Sequence, residues 1–102
     1  MTWHYQVVKY KRKIGDQEID TYSVIEVFLN DKGKIFTRDL ELDNKNFVYE
    51  DVDDLKFELV NILKDLKQFG IRTIEDIDQE IASISDKDNP LAQEDGNYIP
   101  WD

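Results

Sequence analysis

The chain has 102 residues, with 13 basic against 23 acidic side chains and a formal net charge of −10. Hydrophobic residues make up 40% and aromatic residues 12%, enough for one small packed domain. The absence of cysteine excludes disulfide scaffolds, thiolate metal sites and cysteine nucleophiles.

The charge is unevenly placed. Residues 1–13 hold Lys9, Lys11, Arg12 and Lys13 and no acid, and the rest of the chain carries −14. So acidic a surface repels phosphate, so direct nucleic-acid binding is not expected and a protein partner with a basic surface is. No apolar run reaches the roughly 18 residues of a membrane span, and Met1–Gln6 lacks the order of a secretory signal. The expectation is a soluble cytoplasmic protein with no membrane association.

In chain order, "WHYQVVKYKRK" is rich in aromatic and β-branched residues and predicts a strand over about 2–13. Gly15-Asp16 supplies a turn. "TYSVIEVFLN" predicts a second strand over about 20–30, apolar on both faces. "NDKGK" reads as a hairpin loop with Gly33 in the left-handed position, leading to a third strand over about 34–42. "DNKNFVYE" follows as a loop, with Phe47-Val48-Tyr49 open to brief strand pairing.

Val52, Leu55, Leu59, Ile62, Leu63, Leu66 and Phe69 then recur at helical spacing over 51–69. Asp51 is the expected N-cap and Gly70 the expected stop. The broad stripe predicts that this helix covers one face of the meander. Phe57 and Val60 fall outside the stripe and need another cover. A second helix over about 74–85, with Thr73 as N-cap and Ile74, Ile77, Ile81 and Ile84 on one face, offers it. Residues 86–102 lack periodicity and read as an acidic flexible tail ending in Tyr98, Ile99 and Trp101. The predicted class is α+β: residues 1–85 form one domain, a three-stranded antiparallel β-meander packed against an amphipathic helix, with a second C-terminal helix.

Residues 3–69 resemble a family of small uncharacterised bacterial proteins. The matching features are Trp3, Tyr5, Val7 and Val8; then Tyr22, Val24, Glu26, Val27 and Phe28; then Asp31, Gly33, Lys34 and Ile35. The resemblance implies a three-stranded sheet carrying one helix. No catalytic activity is assigned to that family, so it implies no functional residue. Its members generally end soon after the helix, whereas here residues 70–102 follow.

No catalytic residue emerges. His4 is the sole histidine, with no nucleophile or orienting carboxylate at a meaningful spacing, and a structural or surface role is expected. The glycines are scattered at 15, 33, 70 and 96, so no phosphate loop forms. "DNKN" at 43–46 and "DKDN" at 86–89 lack the rest of a calcium loop and read as solvated loops. No metal or other cofactor is expected. The acids of "YEDVDD" are explained by the positive end of the helix dipole.

The expected role is a non-enzymatic interaction or regulatory protein. The alternative is an acidic inhibitor, an immunity protein or DNA mimic, that blocks a basic nucleic-acid-binding partner. The candidate partner-binding residues are Phe57, Val60, Tyr98, Ile99 and Trp101, since aromatic anchors bury much area at low entropic cost. Whether the tail binds a partner or folds back over Phe57 and Val60 stays open, as does the choice between monomer and homodimer.

Overall fold

The computed structural model describes residues 2–42 and 47–92. Strands β1 (Thr2–Ile14) and β2 (Gln17–Leu29) pair antiparallel along their whole length, from Thr2 opposite Leu29 to Ile14 opposite Gln17. Gly15 and Asp16 close them with a two-residue turn. Gly15 has φ +61°, and among the described residues only glycines take a positive φ, the pattern of a turn needing glycine at its first central position.

Strand β3 (Ile35–Arg38) adds to β2 antiparallel, with an irregularity at Phe28/Leu29. It ends at Arg38 rather than near 42. Asp39 takes over the pairing there: its amide donates to the Glu26 carbonyl at 3.0 Å, and its carboxylate accepts the Glu26 amide at 2.9 Å. The loop between β2 and β3 is built on Asn30, which is buried. Its side-chain oxygen accepts the amides of Lys32 and Lys34, each at 3.0 Å, and Gly33 takes φ +77°. Phe47–Tyr49 join no strand.

Helix α1 (Val52–Phe69) starts at Asp51, whose carboxylate accepts the Asp53 amide at 2.9 Å. It stops at Gly70, where φ is +68° and the amide returns to the Leu66 carbonyl. A fourth strand, β4 (Ile71–Thr73), follows at once and runs parallel to β1, with Val7 opposite Ile71 and Lys9 opposite Thr73. The sheet is therefore four-stranded and mixed, in the order β3-β2-β1-β4, instead of the expected three-stranded meander alone. Three residues between two helix signals are too few to show strand periodicity, which is why β4 escapes a sequence reading.

Helix α2 (Ile74–Ala82) begins with Thr73, whose hydroxyl accepts the Asp76 amide at 3.1 Å. Ile74 and Ile77 are buried against Val8, Ile25, Val27 and Ile35, with Ile81, Tyr10, Leu29 and Leu42 packed around them. Helix α1 does pack against the sheet, along β1, but the expected source of the core is corrected. The helix that builds the core is α2, not α1, and α2 does not cover Phe57 and Val60. The reason lies in the connection: Thr73 ends β4 and caps α2, so α2 begins beside β1 and its isoleucines meet the sheet directly. Arg38 pairs with Asp78 at 2.7 Å, Arg72 with Asp76 at 2.7 Å and Glu80 at 3.0 Å, and Glu80 also accepts the Ile35 amide at 2.7 Å.

The expected tail is engaged at its start. Asp86–Asp88 form a turn of 3₁₀ helix, Asp88 pairs with Lys32 at 3.0 Å, and the Asp88 carbonyl accepts from the Asn30 amide group at 3.0 Å. Tyr98, Ile99 and Trp101 lie outside the described residues, as does the 43–46 stretch.

Beyond Lys9 on β1, no further strand among the described residues lies beside the hairpin, and residues 11–20 are all exposed. The basic stretch lies on this ribbon. Lys9 and Lys11 both pair with Asp20 across it, Lys9 at 3.4 Å. Lysines on an open edge discourage sheet-to-sheet association.

Candidate interaction surface

Helix α1 meets β1 through Glu58, Asp65 and Phe69. The Tyr5 hydroxyl donates to Glu58 at 2.8 Å, and the Tyr5 backbone amide, on the strand's outer edge, donates to Asp65 at 2.9 Å. Asp65 thus satisfies an edge amide that would otherwise lack a ladder partner. The Gln6 side-chain amide donates to the Gly70 carbonyl at 2.9 Å and ties down the helix end. His4 stacks on Phe69 with ring centroids 3.6 Å apart and planes 10° from parallel. Its Nδ1 lies 2.7 Å from the Tyr5 carbonyl, which can only accept, so Nδ1 carries the proton. The only histidine is thereby placed as a packing group at the helix–strand junction.

These anchors fix the rotation of α1. Positions 58, 65 and 69, which contact β1, lie on one side of the helix, and the centre of the apolar stripe lies roughly a quarter turn away at 100° per residue. Leu55, Ile62 and Leu66, on the near flank, are half-buried. The rest of the stripe is turned outward: Val52 is 61% exposed, Leu59 48% and Leu63 50%. Val60 (49%) and Phe57 (69%) continue this surface around the helix. Glu58, only 7% exposed, is the one fully buried residue of α1. The sequence-predicted candidates Phe57 and Val60 therefore stand on an exposed apolar helix face, joined by stripe residues that the sequence reading assigned to the core.

Beside this face, a cleft of about 620 Å³ opens between the first residues of β1 and the first half of α1. Trp3, Tyr5, Tyr49 and Phe57 supply aromatic walls, and Asp54, Glu58 and Asp65 supply carboxylates. Trp3 and Tyr5 meet edge to face, their centroids 5.0 Å apart at 84°. Asn61 and Lys64 complete the helix side.

Sequence reasoning missed Trp3, Tyr49 and Asp54 as members of this site. A signal existed: Trp3 and Tyr5 are two apart and share a strand face, while positions 54, 58, 61 and 65 form a polar row at helical spacing.

Among the described residues, no group of three or more His, Asp or Glu side chains is placed to hold a metal ion. No described helix is long and apolar enough to cross a membrane. Compared with family models, curated proteins and solved structures, the chain has no match in any of the three.

Proposed function

We propose that this chain is a non-enzymatic interaction protein that docks a basic protein partner on the outward face of α1. The observation that carries this reading is the exposed run of Val52, Leu59, Val60 and Leu63. A contiguous apolar patch on a soluble domain marks an interaction site more often than it marks bare surface. The nature of the occupant is argued from charge. The chain carries −10, and the start of α1 is acidic at Glu50, Asp51, Asp53 and Asp54. Two copies of so acidic a chain repel, whereas a basic surface gains both steering and rim contacts.

The test is affinity capture from the source cell with the full chain and with a Val60→Ser/Leu63→Ser variant, eluted by rising salt. Both positions are half-exposed, so the variant keeps its core. The reading expects a basic protein that the native chain retains, that salt releases, and that the variant fails to hold. Equal retention by the variant overturns the assignment to α1, and binding insensitive to salt overturns the charge argument. Self-association in sedimentation that the same substitutions abolish gives the face to a second copy instead. Competition of the captured partner with DNA would mark the inhibitor form of this role.

A further inference from the structure

We infer that the cleft between β1 and α1 receives an organic cation, the guanidinium or ammonium head of an arginine or lysine side chain presented by the partner. This rests on the docking role proposed for α1 and assigns the cleft a separate task within it. Three aromatic rings reach the cleft with much of their surface still open: Trp3, Tyr49 and Phe57. The faces of such rings carry negative electrostatic potential and attract a cation within about 6 Å. The exposed Asp54 stands on the same rim, one turn of helix from Phe57.

Asp65 adds a carboxylate at the inner wall, where it accepts the Tyr5 amide, and Glu58 accepts the Tyr5 hydroxyl beside it. Lys64 is the only lysine or arginine of the lining, which also includes His4, and the carboxylates of Asp54 and Asp65 outnumber it. Aromatic walls with a net negative rim suit a flat or alkyl cation and disfavour an anion or a neutral polar group. Arginine fits best, because its guanidinium stacks on a ring while donating to a carboxylate.

The experiment is an NMR titration of the full chain with N-acetyl-arginine amide, using N-acetyl-citrulline amide as the uncharged isostere. The Trp3 indole resonance is assigned from a Trp3→Phe variant. The arginine compound is expected to shift Trp3, Tyr49, Asp54 and Phe57, and to do so less as salt rises. The citrulline compound should leave them in place. Phe57→Ala and Asp54→Asn should each weaken binding by about threefold, the scale of one exposed cation–π or ion-pair contact. Both residues are exposed, and circular dichroism checks that each variant folds.

Equal shifts from the citrulline compound, no shift at these residues, or binding unchanged in both variants overturns the inference. The two proposals fail separately. A partner still captured by an Asp54→Asn/Phe57→Ala chain removes the cleft from recognition while docking on α1 stands.

Discussion

Tyr5 and Glu58 set the rotation of the long helix: the phenol donates to a buried carboxylate at 2.8 Å across the gap between β1 and α1. Breaking a hydrogen bond at a buried site leaves a desolvated polar group behind, which is costlier than losing an exposed contact. Tyr5→Phe keeps the ring against Trp3 and removes only the donor. It should cost about 1–3 kcal/mol, read as a lower urea midpoint. Glu58→Gln retains an acceptor for the phenol and should cost less than Tyr5→Phe.

The two helices differ in what they contribute to stability. Ile77 is fully buried among Val8, Ile25, Val27 and Ile35, so Ile77→Ala should cost about 2–5 kcal/mol through lost transfer energy and a residual cavity. Leu63 belongs to the more regular apolar stripe yet is half-exposed, and Leu63→Ala should cost less than about 1 kcal/mol. Thermal unfolding of both variants checks the contrast. The reverse order would place α1 in the core.

Much of this fold was legible because local signals agree with their own elements. Asp51 and Gly70 bound α1, Thr73 caps α2, Gly15 turns the first hairpin and Gly33 sits left-handed in the second loop. What was not legible is which side of α1 faces the sheet. Periodicity shows that a stripe exists, and assigning it to the core assumes that nothing polar fixes the helix more strongly. Asp65 on an edge amide and Glu58 on a phenol do so, and both are contacts between residues more than fifty apart in sequence. Meanwhile isoleucines, poor helix formers, marked α2 as the weaker helix although Ile74 and Ile77 fill the core and Ile81 packs against it. The cleft was hidden for the same reason, since its walls come together only once α1 has its rotation.

The ribbon formed by β1 and β2 should loosen in acid. Lys11 hydrogen-bonds Asp20 and holds its carboxyl below the ordinary 3.8, with Lys9 adding to the effect. Lys32 does the same for Asp88. A carboxyl depressed in the folded state contributes stability above its unfolded value and loses it as pH falls through the folded one. Amide protection factors in residues 9–22, taken relative to intrinsic exchange at each pH, should therefore fall below about pH 4, and Asp20→Asn should flatten that dependence. Lys11 is shifted upward by its hydrogen bond to Asp20, so the same contact also fades above the ordinary lysine range. High salt should mimic part of the acid effect at neutral pH, since the pair is exposed.

Asn30 joins two parts of the chain and makes the sharpest single-site test. Its oxygen takes the amides of Lys32 and Lys34, and its nitrogen donates to the Asp88 carbonyl. Asn30→Ala abandons all three contacts at a buried position and should cost about 1–3 kcal/mol. Asn30→Asp separates them. The carboxylate still accepts both loop amides, but it cannot donate to Asp88, and it adds a charge beside two acids, Asp31 and Asp88. The β2–β3 loop should then keep its amide protection at 32–34 while Asp88 and Asn89 lose theirs. Equal loss at both places would mean that the loop and the 3₁₀ turn open as one unit, with Asn30 their common support rather than a link between independent parts.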